Sequence, residues 1–161
     1  MSTPYAFAEG WRYWAQKERD NAYNNTGMVP DSAQQIAARN ALSAEFRAAR
    51  AGHLDLPYGE AEREKWDLYP GADPAAPCLV FIHGGYWQRN RREDFAILAQ
   101  GALAMGWSAA LPGYTLAPDA SLTAITWQVS RALDWLAANG PAHGIAGPIV
   151  VSGWSAGGHL A

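Results

Sequence analysis

Ile149-Val150-Val151-Ser152-Gly153-Trp154-Ser155-Ala156-Gly157 is the stretch that decides the fold. A short β-branched run passes without a linker into Gly-Trp-Ser-Ala-Gly, and the residues after Ser155 suit the start of a helix. Val and Ile favour strands because branching at Cβ stiffens the side chain and packs well on a pleated surface. Gly153 and Gly157 stand two residues before and after the serine, where side chains would collide across a sharp turn. Such a strand-to-helix elbow holds its serine in a strained backbone and lifts the hydroxyl above the sheet. Ser155 is therefore the candidate nucleophile, and the helix start behind it offers N–H groups to developing negative charge. The bare pattern is common, and its bland reading is a glycine-rich turn; the apolar strand before it argues for chemistry.

Seventy-two residues upstream (155 − 83) a second glycine motif follows a second apolar run. Cys78-Leu79-Val80-Phe81-Ile82 reads as a parallel strand buried on both faces. His83-Gly84-Gly85-Tyr86-Trp87 comes directly after it. Adjacent glycines let a backbone approach a substrate carbonyl closely enough for N–H groups to bind an oxyanion. An ordinary tight turn would explain His83-Gly84-Gly85 alone, but not its pairing with the elbow.

Between and around these motifs, strand and helix patterns alternate. An N-cap at Asp31 or Ser32 predicts an Ala-rich helix to about Ala51, stopped at Gly52, with Leu42 and Phe46 inward. Lys65-Trp66-Asp67-Leu68-Tyr69 alternates in polarity like a half-exposed strand. A helix is expected from about Asp94 to Met105, with Phe95, Leu98, Ala102 and Met105 on its inner face. Trp107 to Leu111 reads as a strand. Ser121 to Asn139 reads as a helix with the stripe Leu122, Ile125, Val129, Leu133 and Leu136. This alternation predicts an α/β fold with a mainly parallel sheet.

With 161 residues, 49% of them hydrophobic and 17% charged, the chain is long and apolar enough to bury a real core. A net charge of −3 with scattered basic residues excludes a nucleic-acid footprint. Arg89, Arg91 and Arg92, followed by Glu93 and Asp94, read as a solvated loop before a helix. The single cysteine, Cys78, rules out an internal disulfide framework and reads as a small buried hydrophobe. Met1-Ser2-Thr3-Pro4-Tyr5 shows no targeting pattern, and no apolar run approaches a membrane span. A cytoplasmic protein that binds neither membrane nor nucleic acid is expected, without metal or other cofactor.

The two glycine motifs together resemble the α/β-hydrolase superfamily, and within it the kynurenine formamidase (arylformamidase)-like esterases with a His-Gly-Gly-x-Trp loop. Tyr114-Thr115-Leu116-Ala117-Pro118 resembles a Tyr-x-Leu-Ala-Pro segment of related esterases. Tyr23-Asn24-Asn25 with Val29-Pro30, and Leu56-Pro57-Tyr58-Gly59, resemble N-terminal features of formamidase-like members. The resemblance implies an α/β-hydrolase fold over residues 1–161, incomplete at its C-terminal side, with residues 1–55 as a helical, aromatic lead-in. It places the His-Gly-Gly strand beside the nucleophile strand. It implies Ser155 as nucleophile and the N–H groups of Gly85, Tyr86 and Ala156 as the oxyanion hole. His83, Gly84 and Trp87 would support the loop, and Gly153 and Gly157 would shape the elbow. A small ester or amide, acyl or formyl, is the implied substrate.

In this fold the acid and the histidine of the triad follow the serine in the chain. Only six residues follow Ser155, so neither is expected within the 161. His143 precedes the nucleophile strand, roughly 17 Å from its far end. His159 is expected to pack inward one turn past the serine, His83 to brace the oxyanion loop, and His53 has no assigned task. The chain alone is therefore expected to be inactive, with Ile149, Val150 and Val151 on an open apolar edge. A non-catalytic fragment or pseudoenzyme that needs a partner is the alternative from another class. A peptidase of the prolyl oligopeptidase type, whose elbows also read Gly-Trp-Ser-x-Gly-Gly, is disfavoured by the His-Gly-Gly-Tyr-Trp loop.

Overall fold

Five strands pair into one sheet in the computed structural model of the protein, which describes residues 10–161. They are β1 (His53–Pro57), β2 (Lys65–Tyr69), β3 (Cys78–Ile82), β4 (Ser108–Pro112) and β5 (Ile149–Gly153), in the order β1-β2-β4-β3-β5. The pairs β4/β3 and β3/β5 are parallel, whereas β1/β2 and β2/β4 are antiparallel, so the expected parallel sheet carries an antiparallel flank. The Met1 to Tyr5 segment, read above for targeting signals, lies outside the described residues.

Two compact units make up the chain, residues 1–38 and 39–161. In the first, α1 (Gln16–Tyr23) starts where the Glu18 carboxylate accepts the Ala15 N–H at 2.7 Å. The Tyr23-Asn24-Asn25 segment turns through Asn24 Oδ1, which accepts the Gly27 N–H at 3.0 Å. Helix α2 (Ser32–Ala49) begins in this unit and ends in the second.

In the second unit the helices cover the two sheet faces. On one side α4 (Leu122–Asn139), capped by Ser121 Oγ accepting the Ala124 N–H, buries Ile125, Val129, Ala132 and Leu136 against Val80, Ile82 and Ala110. Of the expected stripe, Leu122, at the start of the helix, is exposed, and Leu133 is half-buried at the margin of the packed face, where Ala132 is buried instead. On the other side Phe95, Ala96, Ala99 and Ala102 pack on Tyr69, Ala109 and Leu111.

The segment before that second layer corrects the expected Asp94–Met105 helix. Arg92–Leu98 is 3₁₀, and only Ala99–Ala104 (α3) is α-helical. Three residues per turn bring Ala96 and Ala99 onto the core face with Ala102 and turn Leu98 to solvent; Met105, past the end of α3, is exposed as well. Leu42 is likewise exposed; α2 turns Ser43 inward, and its hydroxyl donates to the Asp94 carbonyl at 2.8 Å. Phe46 does face inward, edge-on to Tyr69.

β1 lies partly inside the span expected to be helical lead-in. Its pairing with β2 is broken by a bulge at Asp55, whose φ is 58°, and Pro57 sits on this edge strand where no ladder donor is required. Leu56-Pro57-Tyr58-Gly59 carries the chain back towards the sheet, with Tyr58 Oη donating to the Gly113 carbonyl at 2.5 Å.

The bulge serves an ion cluster that the charge pattern did not reveal. Arg92 is buried, not solvated: its Nε donates to Asp67 at 3.1 Å, and its guanidinium also pairs with Asp55 and Glu93. Arg47 of α2 reaches the same Asp67 at 2.9 Å and Asp55 at 2.7 Å. Arg89 and Arg91 are exposed as expected. Cys78 is buried, and desolvation pushes its thiol up to about 12, so it is inert at neutral pH.

Candidate active site

β3 and β5 run parallel with Ile82 level with Gly153, so the two glycine motifs leave the sheet side by side. The Trp154 N–H donates to the Ile82 carbonyl at 3.2 Å. A Cβ on Gly84 would lie 2.3 Å from the Trp154 carbonyl oxygen and 3.1 Å from Ser155 Cβ. Only a glycine lets the loop approach the elbow this closely.

Ser155 has φ 53° and ψ −119°, a backbone region that costs a non-glycine residue on the order of 1–3 kcal/mol. It is exposed, and α5 (Ala156–Leu160) begins directly after it. A side chain at Gly153 would meet the Gly157 carbonyl at 2.2 Å, and one at Gly157 would meet the Ile82 carbonyl oxygen at 2.0 Å. These contacts are the physical reason for glycine at both flanking positions. The Ala156 N–H belongs to the first turn of α5, where intrahelical partners are lacking.

The loop after β3 keeps φ positive along three successive residues, Gly85 at 124°, Tyr86 at 52° and Trp87 at 58°, and the two non-glycine residues carry the strain. Its carbonyls are held. Gly84 O accepts from Asn90 Nδ2 at 2.9 Å and lies 3.0 Å from His83 Nδ1; Gly85 O accepts the N–H groups of Gln88 and Arg89, both at 3.0 Å. Arg63 fastens the far end, donating to the Asn90 carbonyl at 2.6 Å and the Tyr114 carbonyl at 2.8 Å. The Tyr114-Thr115-Leu116-Ala117-Pro118 segment lies against the same loop. The Ala117 N–H donates to the Trp87 carbonyl at 2.8 Å, and Tyr114 Oη donates to the His83 carbonyl at 2.8 Å.

His83 is buried, stacked on Tyr114 at 4.3 Å and more distantly on Phe95 at 6.0 Å. Gly84 O can only accept, so Nδ1 carries the proton of the neutral ring. Desolvation drives its pKa down to about 4; the Gly84 carbonyl and Asp94 oppose this, while Arg63 and Arg92 reinforce it. An unfolded histidine titrates near 6.5. Below that pH the unfolded chain binds the extra proton, so stability is complete above about 6.5 and declines as pH falls towards 4. His83 is expected to account for on the order of 3 kcal/mol of that decline. His83→Gln should flatten the fall of the unfolding midpoint across this interval; equal slopes in both proteins would contradict a buried neutral ring.

The remaining histidines sit elsewhere. His159 is exposed and edge-on to the Trp87 ring at 5.2 Å, not packed into a core. His143 stacks on Trp135 and meets His53 at 4.8 Å. Among the described residues no His, Asp or Glu side chain hydrogen-bonds Ser155, and no cluster of three or more His, Cys, Asp or Glu could hold a metal ion. No helix among them is long and apolar enough to cross a membrane.

Cleft volume does not locate this chemistry. A cleft of about 790 Å³ between Arg47, Asp55, Arg91 and Asp94 has no lining residue from either glycine motif. A smaller apolar one of about 300 Å³, lined by Arg39, Phe81, Phe95, Leu98 and Trp154, adjoins the elbow through Trp154. The juxtaposed backbones, not a volume, single out Ser155.

Residues 67–161, well over half of the chain, match the family BD-FAE. The chain belongs to the BD-FAE family. Its fold is that of the α/β-hydrolase esterases: a crystal structure from Silicibacter sp. TM1040 is 37% identical with a TM-score of 0.80, covering 87% of this chain and 52% of that one. Esterase B of Lactobacillus rhamnosis, inhibited by a tributyrin phosphonate, is 25% identical with a TM-score of 0.64, covering 91% of this chain and 48% of its own. Among curated proteins, the BD-FAE chain is 28% identical to kynurenine formamidase of Danio rerio over 76% of its own length and 45% of that protein's. It is 31% identical to Esterase LipQ of Mycobacterium tuberculosis, over 89% and 36% respectively. The chain thus spans about half or less of the curated relatives it matches.

The sequence reading missed Asn90, Arg63 and the hydroxyl of Tyr114 as braces of the His-Gly-Gly loop. Asn90 carries a local signal, since asparagine tolerates its φ of 71° better than other non-glycine residues. Arg63 carries none, because its partners stand 27 and 51 residues away.

Proposed function

We propose that the protein is a serine hydrolase that takes the acyl or formyl group of a small ester or amide onto Ser155 and passes it to water. The single observation behind this reading is the strained φ of Ser155 at a strand-to-helix turn pressed against the His-Gly-Gly loop. Attack by Ser155 Oγ on the carbonyl carbon gives a tetrahedral oxyanion, which the N–H groups of Gly85 and Ala156 stabilise, with Tyr86 in the same loop. Each such donor contributes about 10²–10³ in kcat. Collapse expels the alcohol or amine, and water then releases the acid. The described residues supply nucleophile and oxyanion donors, and none of their His, Asp or Glu side chains hydrogen-bonds Ser155 as a general base would.

Kynurenine formamidase and esterase relatives support either a formamide or an ester as substrate. The partly buried Trp87 ring beside the elbow is consistent with an aryl group. The deciding experiment treats the full-length protein with a fluorophosphonate and maps the adduct by peptide mass spectrometry. Label is expected on the peptide carrying Ser155; an unlabelled protein would overturn the reading and leave a non-catalytic role. Hydrolysis of N-formylkynurenine against that of short aryl esters then chooses between formamidase and carboxylesterase.

A further inference from the structure

We propose that Asn90 is a positioning residue for the oxyanion hole, its side-chain amide clamping the Gly84 carbonyl and so fixing where the Gly85 N–H points. The inference rests on the reading of Ser155 given above, and it adds a residue that contacts neither the nucleophile nor the substrate.

Carbonyl and N–H of one trans peptide are coplanar and point in opposite directions. Whatever holds Gly84 O therefore aims the Gly85 N–H. That peptide lies between two glycines, the residues with the widest range of backbone conformations, so it is the easiest in the loop to rotate. Two donors oppose the rotation: Asn90 Nδ2 at 2.9 Å and His83 Nδ1 at 3.0 Å. His83 is locked between aromatic rings, while Asn90 approaches from the loop's far end. Asn90 Nδ2 lies so close that a Cβ on Gly85 would meet it at 2.7 Å, which leaves position 85 to glycine.

Asn90 is itself built into place. Its φ of 71° turns the amide back towards Gly84, and Arg63 holds its carbonyl at 2.6 Å while gripping the Tyr114 carbonyl at 2.8 Å. Tyr114 in turn donates to the His83 carbonyl. The ring Gly84–Asn90–Arg63–Tyr114–His83 closes on itself around the loop. A donor to Gly84 O also polarises the peptide, making the Gly85 N–H a better partner for negative charge.

The test uses Asn90→Gly, which keeps the positive φ but removes the donor, and Asn90→Asp, which keeps the shape but substitutes an oxygen. Within residues 1–161 the Gly-Gly peptides are Gly84-Gly85 and Gly157-Gly158, whose resonances are assigned sequentially in the full-length protein. Labelling with glycine carrying ¹³C at the carbonyl and ¹⁵N therefore gives a carbonyl–amide correlation for each. In both variants the Gly84 carbonyl and Gly85 nitrogen resonances are expected to move upfield while the Gly157-Gly158 pair stays. On the full-length protein, kcat for an aryl acetate should fall about 10- to 100-fold with KM within twofold, less than the ~10²–10³ for a donor removed outright. An unmoved Gly84-Gly85 resonance would overturn the clamp. So would a moved resonance with unchanged kcat and unchanged fluorophosphonate labelling. Native protein that fails to label at Ser155 instead sinks the hydrolase reading, and the clamp's catalytic role with it.

Discussion

Ser155→Ala is expected to lower acyl turnover by the full full-length protein's rate enhancement attributable to the nucleophile, about 10⁶-fold in kcat. The size of the effect follows from the geometry. No second hydroxyl occupies the strained elbow position, and the loop residues around it present backbone groups, not nucleophiles. Alanine keeps a Cβ at the same φ of 53°, so the backbone strain is retained and the unfolding midpoint should stay close to that of the native protein. Any residual hydrolysis would come from the oxyanion donors acting on bound water. Steady-state assays with an aryl ester, beside fluorophosphonate labelling, measure the loss; a variant within tenfold of the native rate would remove Ser155 from the mechanism.

The second large effect is on stability. Asp67→Ala is expected to cost about 3–5 kcal/mol in unfolding free energy, because it removes the buried one of Arg92's three countercharges and leaves only the more exposed Asp55 and Glu93. Asp67 is buried and accepts from Arg47 Nε, Arg92 Nε and the Asp55 N–H at 2.9, 3.1 and 3.0 Å. Arg92 is only 5% exposed, so solvent offsets little of the loss. Asp67→Asn keeps an acceptor oxygen and should cost less. Urea unfolding followed by tryptophan fluorescence reads both; a penalty below about 1 kcal/mol for the alanine variant would show the cluster to be a solvated surface network.

The elbow was legible in the sequence because its constraints are local. Apolar strand residues, two glycines and a helix start are consecutive, and each has one geometric reason to be there. The stripe of α4 was legible for a similar reason, since a period of 3.6 residues marks one face. What escaped was set by contacts across the fold. A charge run cannot say which arginine turns inward, so Arg92 looked like its neighbours Arg89 and Arg91. His53-Leu54-Asp55-Leu56 does alternate in polarity and in burial, but so short a run directly after a helix stop carried too little signal to mark β1. The turn from 3₁₀ to α at Ala99 shifted which residues of that segment meet the sheet, exposing Leu98. His159 was placed inward by its spacing from Ser155, yet the Trp87 ring gave it a partner at the surface.

The β3–β5 pairing has a kinetic consequence. Cys78 and Ile149 are partners across 71 residues of chain (149 − 78), and closing so long a loop must precede the contacts that reward it. Neither half of the site exists as a local structure: the glycine loop and the elbow meet only when β5 docks beside β3. Until then Ser155 is an ordinary hydroxyl on a flexible chain, so reactivity towards a fluorophosphonate should emerge during refolding with the slowest folding phase and not before it.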